Sequence, residues 1–241
     1  MKKNGSSLKS LKARIRVLLW PVVVCAVLFA VYEAVTWPDV MSLKKQNPKT
    51  TAFIELYKKR QIRKGKKPVV YWQWAPLSQM SPNLRRAVLV SEDLNFYNHH
   101  GFDFRELYYA LQEAWEEGEL TRGASTITQQ TAKNLWLSPS RNPFRKIKEA
   151  ILTIQLEIDL PKPRILEIYL NVAEFGPGVY GAKAASQYYF KKSPAELTEN
   201  QAAQLAASLP KPRLWHPGSE SKTYARRVGI IEARMQKHSY L

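Results

Sequence analysis

Apolar residues form their first long run near the N-terminus. Residues 17–32 carry no charge and no strongly polar side chain, and apolar residues resume after Glu33 as far as Trp37. A helix of about 20 such residues can cross a bilayer, and Pro21 would lie near its first turn, where proline is tolerated. Six basic residues precede the run and favour a cytoplasmic N-terminus. The sequence therefore predicts a basic cytoplasmic tail at 1–16 and a single transmembrane helix at 17–37.

A cleaved signal peptide and a buried core helix are the alternatives for this run. No small-x-small cleavage site follows it, and it is long for the apolar part of a signal peptide. We therefore expect the rest of the chain to lie outside the cytoplasm. Residues 38–68 are mostly polar and contain three pairs of adjacent lysines. They predict a linker with one short helix near 52–60, whose basic face is solvated or contacts anionic headgroups.

Helical periodicity dominates after Trp74. Ser81-Pro82, Asp103 to Glu106, Ser193 to Glu196 and Thr198 to Gln201 have the composition of helix starts. In two segments, apolar residues follow the spacing of a helix face. The first comprises Phe104, Leu107, Tyr108, Leu111, Ala114 and Trp115, and Gly118 ends this helix. The second is a stripe that we expect to be buried: Ile147, Ile151, Ile154 and Ile158. Alternating strand patterns are scarce. The segment 69–241 is therefore predicted to be one mainly α domain.

Charge narrows the range of partners. The chain has 37 basic and 20 acidic residues, and six of the basic ones precede residue 17, so the remainder carries a net charge of +11. Such a surplus indicates an anionic partner, namely nucleic acid, lipid headgroups or a phosphorylated substrate. A location outside the cytoplasm disfavours nucleic acid. Cys25 is the single cysteine and the four histidines lack zinc-site spacing, so we predict no histidine-based metal site.

The first candidate for chemistry is Ser91 to Phe104, where Glu92 and Asp93 follow an apolar run and precede an aromatic and histidine cluster. Carboxylates against apolar walls are candidates for proton transfer because burial disfavours the charged form. The same pattern is also typical of the polar end of a helix.

Two further segments are rich in groups that bind sugars or phosphates. Gly123 to Asn134 would place amides, hydroxyls and one cation on a helix face. Arg141 to Glu149 surrounds one carboxylate with basic residues and could bind a pyrophosphate. A solvated surface and an exposed ion pair between Arg145 and Glu149 are the respective alternatives.

Four motifs occur in order across about 80 residues: E-D-x-x-F-x-x-H-x-G from Glu92, G-A-S-T-I-T-Q-Q from Gly123, R-K-x-x-E from Arg145 and K-x-x-I-L-E-x-Y-L-N from Lys162. Together they resemble the peptidoglycan glycosyltransferase family, over roughly residues 70–235. The monofunctional form fits best, because the K-T-G motif of a transpeptidase domain is absent. The resemblance implies a lysozyme-like, all-helical catalytic domain behind the membrane helix.

The resemblance also implies the activity. The growing glycan, held through its lipid pyrophosphate, would be transferred with inversion to the 4-hydroxyl of lipid II, on the outer, periplasmic side of the bacterial cytoplasmic membrane. Partners would be lipid II, lipid-linked glycan, the membrane and other cell-wall synthesis proteins. Nucleic acid is not expected. A divalent cation, Mg or Mn, is the one cofactor considered.

Residue roles follow from motif positions. Glu92 would be the base, and Glu149 would assist through a divalent cation or by orienting the phosphate-binding cations. We expect Glu92 and Glu149 to lie farther apart than the roughly 6.5 to 9.5 Å of inverting hydrolases, because a sugar occupies the space between them. Substrate-binding residues would be Ser125, Thr126, Gln129, Gln130, Lys133, Asn134, Arg141, Arg145 and Lys148. Supporting residues would be Asp93, Phe96, His99 and Gly101, with Glu167, Tyr169 and Asn171 structural.

Two other functions remain open at this point. A lytic, lysozyme-like glycosidase would share the helices and the glutamate, but would cleave purified cell wall without a lipid-linked donor. A non-catalytic basic scaffold at the membrane would bind anionic lipid or cell-wall polymer and would not depend on Glu92.

Overall fold

The computed structural model describes residues 4–118, 123, 125–140 and 142–239, with side chains from Leu19 onwards. It divides into two compact units, residues 1–39 and 40–241. The first unit is dominated by helix α1 (Asn4–Val35). This helix begins well before the predicted span, so Pro21 lies in its interior and not in its first turn. The side chains of the predicted basic tail lie outside the described residues.

The described apolar side chains of α1 run from Leu19 to Val35, with Glu33 among them. Among the residues that the structure describes, no helix combines the length and the apolar character needed to cross a membrane. The transmembrane helix predicted at 17–37 is therefore not supported.

The second unit is mainly helical, as predicted. Its described elements, in chain order, are α2 (Ala52–Arg63), β1 (Tyr71–Trp72), α3 (Pro82–Glu92), α4 (Phe104–Glu117), α5 (Ile127–Trp136), α6 (Pro143–Asp159), α7 (Lys162–Val172), β2 (Glu174–Gly176), β3 (Val179–Tyr180), α8 (Ala182–Phe190), α9 (Glu199–Ser208) and α10 (Lys222–Lys237). Short 3-10 helices occupy Met41–Lys44, Leu77–Gln79 and Pro194–Glu196. The helix predicted near 52–60 is α2, which continues to Arg63.

Helix starts follow the local signals in the sequence. Ser81 caps α3 by accepting the backbone N–H of Leu84, and Pro82 occupies the first turn. Asp103 caps α4, which ends at Gly118 in the left-handed conformation. Thr198 opens α9 with a capping box. These caps satisfy backbone donors that a helix leaves unpaired at its first turn.

The domain is not all-helical, because it contains a small three-stranded sheet in which β1 pairs with a strand more than 100 residues later in the chain. Strand β1 pairs in parallel with β3, with Tyr71 opposite Val179, and β2 pairs antiparallel with β3. Next to the sheet, the Asn171 side chain accepts from the N–H of Ala75 and donates to its carbonyl, both at 2.8 Å. Glu167 accepts the N–H of Leu77. The predicted structural roles of Glu167 and Asn171 agree with these contacts.

The core lies where helices from distant parts of the sequence meet. Helix α5 packs on α6 and α7, and α3 packs on α9 and α10. Glu157 of α6 accepts hydrogen bonds from Thr128 of α5 and Lys162 of α7. The Lys162 ammonium lies 4.5 Å from the centre of the buried Phe96 ring, a favourable cation–π arrangement. These contacts hold α5, α6 and α7 together around the segment that follows Glu92.

The apolar stripe predicted to be buried on α6 is exposed. Ile147 and Ile158 are 58% and 76% exposed, whereas the buried face of α6 carries Glu149, Leu152, Thr153 and Leu156. Helix α4 behaves similarly: Trp115 is 90% exposed, and Ala110 is its buried residue among those described. The spacing identified an apolar face correctly, but spacing does not say what that face contacts.

Gly101 occupies a position that only glycine fits without strain. Its φ is +90°, and a Cβ there would lie 2.8 Å from Thr153 Cγ2 and 3.1 Å from Glu157 Cγ. We expect Gly101→Ala to lower the free energy of unfolding by about 1 to 3 kcal/mol, measured by urea denaturation. The control is Gly229→Ala in helix α10, where a Cβ meets open space, and where we expect a gain of about 0.4 to 1 kcal/mol. An equal response of the two variants would contradict this account.

Candidate active site

Glu92 is the last residue of α3, and its side chain is only 9% exposed. Its Oε1 accepts from Ser91 Oγ at 3.0 Å and from Arg227 Nη2 at 3.1 Å. Its Oε2 accepts from Gln130 Nε2 at 3.0 Å. Glu92 therefore ends helix α3 and also carries a carboxylate that hydrogen bonds hold in place. Donors from α5 and α10 fix its position.

Gln130 is itself oriented by Tyr169. The phenol O–H of Tyr169 donates to Gln130 Oε1 at 3.1 Å, which leaves the amide N–H groups of Gln130 to face Glu92. Burial raises the pKa of Tyr169 well above its usual value, and the negative charges of Glu92 and Asp93 add to this effect. The phenol therefore stays protonated and remains a donor. Tyr169 was predicted to be structural, and the structure adds this contact with the site.

Asp93 joins the first motif to the second. Its carboxylate accepts from His99 Nε2 at 3.0 Å and from the backbone N–H of Ile127 at 2.9 Å. The Gly101 N–H donates to His99 Nδ1, so the imidazole proton is on Nε2. The Thr126 hydroxyl donates to the Gly101 carbonyl at 2.7 Å. These bonds join the turn after Glu92 to the first turn of α5.

Glu149 lies on the buried face of α6 with its side chain 3% exposed. Arg145 Nη1 donates to its Oε2 at 2.5 Å, and Lys146 Nζ donates to its Oε1. The ion pair between Arg145 and Glu149 that the spacing allowed is present, but it is not exposed, because the Glu149 carboxylate is buried away from solvent. Lys148 lies on the same helix and is half-buried.

Both carboxylates, Glu92 and Glu149, influence the pKa of Lys133. Burial lowers the pKa of Lys133, Glu149 and Glu92 oppose this effect, and Arg145 and Lys146 reinforce it. The partners of Glu92 and of Glu149 among the described residues are different side chains. The predicted separation of the two carboxylates stays a prediction.

A cavity of about 530 Å³ opens beside these residues. Gln130, Lys133 and Asn134 of α5 and Tyr169 of α7 form one part of its wall. Three of the predicted substrate-binding residues therefore face one space. Their spacing along α5 places them on one side of the helix.

Other predicted residues lie elsewhere. Gln129 is buried and closes a capping box with Thr126, accepting the Thr126 N–H at 3.0 Å. Both side chains are therefore engaged in the start of α5 and not turned to the cavity. Ser125 is exposed at this helix start. Arg141 lies outside the described residues.

Sequence reasoning missed Arg227. It lies 135 residues from Glu92 in the chain, and a pair of adjacent arginines, Arg226-Arg227, was its only signal. Glu174, a buried carboxylate in the cavity wall, was also missed. It follows the fourth motif directly and no spacing distinguishes it.

The residues around Glu149 do not fit a divalent cation. Mg and Mn prefer oxygen ligands, but each Glu149 oxygen is already paired with a cationic side chain. In the part of the chain that the structure describes, no group of three or more His, Cys, Asp or Glu side chains could hold a metal ion.

The domain is mainly helical, and the carboxylates of Glu92 and Glu149 are both held by cationic side chains. The transglycosylase family model matches residues 59–236. The chain belongs to the transglycosylase family, and the resemblance predicted from the four motifs is confirmed.

Relatives with the same family name cover most of the chain. A biosynthetic peptidoglycan transglycosylase of Thiobacillus denitrificans is 43% identical over 86% of this chain and 90% of its own length. A protein of the same description from Methylobacillus flagellatus is 39% identical over 92% of this chain and 97% of its own length. Another from Alcanivorax borkumensis is 45% identical over 82% of this chain and 78% of its own length. The protein is accordingly a glycosyltransferase.

Asp93→Asn tests the junction between the first two motifs. An amide would turn an N–H group toward one of the two donors that the carboxylate now accepts, leaving buried polar groups unpaired. We expect the free energy of unfolding to fall by about 1 to 3 kcal/mol. The control is Glu116→Gln on the exposed side of α4, expected to change stability by less than about 0.5 kcal/mol. Equal stability of Asp93→Asn and the unmodified protein would refute the junction.

Proposed function

We propose that the protein polymerises lipid II, a disaccharide-peptide joined to a polyprenyl chain by pyrophosphate, into linear glycan strands. The growing lipid-linked glycan is transferred with inversion to the 4-hydroxyl of lipid II, and polyprenyl pyrophosphate is released. The observation that supports this most directly is the environment of Gln130. Its amide donates to the Glu92 carboxylate, and the half-buried cation Lys133 lies one turn further along α5, in the wall of the cavity that Gln130 also lines.

Glu92 is the proposed base. An alcohol is a weak nucleophile at neutral pH, so its proton must leave as the new bond forms. The hydroxyl oxygen attacks the anomeric carbon, the bond to the pyrophosphate breaks, and the hydroxyl proton passes to Glu92. Gln130 and Arg227 hold the carboxylate so that little reorganisation is needed at the moment of transfer.

Cations at the other end of α5 are proposed to bind the leaving pyrophosphate. Fixed cations stabilise charge that develops on the departing oxygens better than mobile water does. Lys133 would be the main contact, with Arg145, Lys148 and Arg141 contributing. Asn134 would add a hydrogen bond, and Ser125 could reach the substrate from the start of the helix.

Glu149 acts, in this proposal, through Arg145 and Lys146. Its two ion pairs hold those cations beside Lys133, and its charge favours the protonated form of Lys133. No step is routed through a divalent cation, because the carboxylate oxygens that would bind it are paired.

The catalytic domain is proposed to work at the outer, periplasmic surface of the bacterial cytoplasmic membrane. Its substrates carry lipid tails, and exposed aromatic and aliphatic side chains line two helices: Phe104, Tyr108 and Trp115 on α4, and Phe144 and Ile158 on α6, all at least 65% exposed. Apolar surfaces of this kind mark contact with a membrane or a protein. Other cell-wall synthesis proteins are further possible partners, and nucleic acid is not part of the proposal.

The lytic alternative is less well supported. A hydrolase of the inverting type activates water with a second free carboxylate, but Glu149 is held by two cations. The three relatives named above are described as biosynthetic. The scaffold alternative would not require the hydrogen bonds that position Glu92. The lysozyme-like arrangement of helices stays a prediction.

Glu92→Gln is the direct test of the base. Incubation with labelled lipid II should give polymer with the unmodified protein, and the variant should be slower by about 100-fold or more because the amide cannot accept the proton. Glu116→Gln, an exposed carboxylate changed in the same way, should be unaffected. Polymerisation that survives Glu92→Gln would remove Glu92 as the base. Cleavage of purified cell wall without polymer formation would favour the lytic function.

Lys133 should set the alkaline limit of activity. Burial lowers its pKa, so it loses its proton, and its positive charge, at a lower pH than an exposed lysine. We expect the polymerisation rate to fall as pH rises into that range. We also expect Lys133→Ala to lower the rate by about 100-fold, against no change for Lys222→Ala at the exposed start of α10.

Lys133→Arg should move this alkaline limit upward, because guanidinium stays charged throughout the range. The measurement is the rate against pH for both proteins. An unchanged alkaline limit in Lys133→Arg would show that another group titrates.

A further inference from the structure

The cavity extends beyond the groups that the proposed reaction uses. Its far wall is formed by Phe53 and Leu56 of α2, by the segment 209–214, and by Glu174 of β2. Three cations lie along this wall: Arg60 of α2, Lys211 and Arg213. The space therefore has an apolar lining with a cationic border.

The charges in the cavity fall into two groups. The electrostatic surroundings of Lys133 are set by Glu149, Arg145, Lys146 and Glu92. Those of Glu174 are set by Arg213 and Arg60. Lys133 already belongs to a cluster suited to a pyrophosphate, so the cations around Glu174 are available for a different anion.

Glu174 is the buried carboxylate of this second group. Its side chain is 7% exposed and accepts from Arg213 Nε at 3.4 Å and from the backbone N–H of Gly178. Burial raises its pKa, and Arg213 opposes the shift. The bond to Arg213 is long, and the Arg213 side chain is 45% exposed. Glu174 thus offsets one of the three cations and leaves a net positive border on the cavity.

We propose that Arg60, Lys211 and Arg213 bind the carboxylates of the peptide that the lipid-linked substrate carries, with Glu174 accepting a peptide N–H. This inference rests on the proposed function. The N-acetylated sugars of such a substrate are uncharged, and its pyrophosphate has the Lys133 cluster. The peptide carries the remaining anionic groups.

The proposal predicts a preference for peptide-bearing substrate. Polymerisation is compared on lipid II and on the same lipid-linked disaccharide without its peptide, using the unmodified protein, Arg213→Gln and Arg60→Gln. The readout is the ratio of kcat/KM for the two substrates. Arg63→Gln, an exposed arginine on the same helix as Arg60 and outside the cavity lining, is the matched control.

We expect the ratio to fall about five- to tenfold in Arg213→Gln and Arg60→Gln, which is the range for one lost charge-assisted hydrogen bond at a partly exposed site. The ratio in Arg63→Gln should equal that of the unmodified protein. Binding of the soluble disaccharide-peptide, measured by calorimetry against the disaccharide alone, should weaken by the same factor. Calorimetry does not depend on turnover.

Two results would overturn the proposal. Equal losses on both substrates would show that the cations bind the pyrophosphate or the sugars, and unchanged ratios would make the cluster a structural ion pair. Failure of the polymerase proposal is recognised separately, because the unmodified protein would then form no polymer from either substrate. Peptide binding by calorimetry would still decide the role of the cations.

Discussion

The carboxylate of Asp93 is the interaction on which the site depends. It accepts hydrogen bonds from His99 Nε2 and from the backbone N–H of Ile127, the first residue of α5. The partial positive charge of a helix N-terminus favours an anion at that position. The bond sets the end of α3 against the start of α5. Glu92 precedes Asp93 in the chain and Gln130 follows Ile127 by three residues, so the contact between Glu92 and Gln130 is a consequence of the Asp93 junction.

Sequence determines the local parts of this arrangement well. Ser81, Asp103 and Thr198 cap helices where their side chains and neighbours predict, because capping depends on residues within one turn. The motif carrying Glu92 and the polar residues of α5 were found in the same way. Their meeting, through the hydrogen bond between Gln130 and Glu92, followed from the family resemblance and not from spacing.

Features that depend on distant residues were not predictable. Arg227 reaches Glu92 across the packing of α10 on α3, and a pair of arginines gives no sign of such a contact. The two- and three-residue strands are too short to show an alternating pattern. On α6, periodicity located an apolar face, but the domain buries the opposite side, where Leu152 and Leu156 are fully buried and Glu157 accepts hydrogen bonds from α5 and α7. A helix is therefore oriented by what its polar groups must satisfy as well as by its apolar area.

That inversion on α6 connects the fold with the chemistry. A carboxylate on a buried face is unfavourable unless it is paired, and Arg145 and Lys146 supply the pairing for Glu149. The pairing also concentrates cations next to Lys133, whose ammonium is itself partly desolvated. Repulsion from Arg145 and Lys146 adds to the lowering of the Lys133 pKa, and Glu149 opposes it. Glu149 therefore has two effects: it pairs with Arg145 and Lys146, and its charge favours the protonated form of Lys133. The apolar face that α6 presents outward lies on the same helix, so one side of α6 is apolar and exposed while the opposite side carries a buried, paired carboxylate.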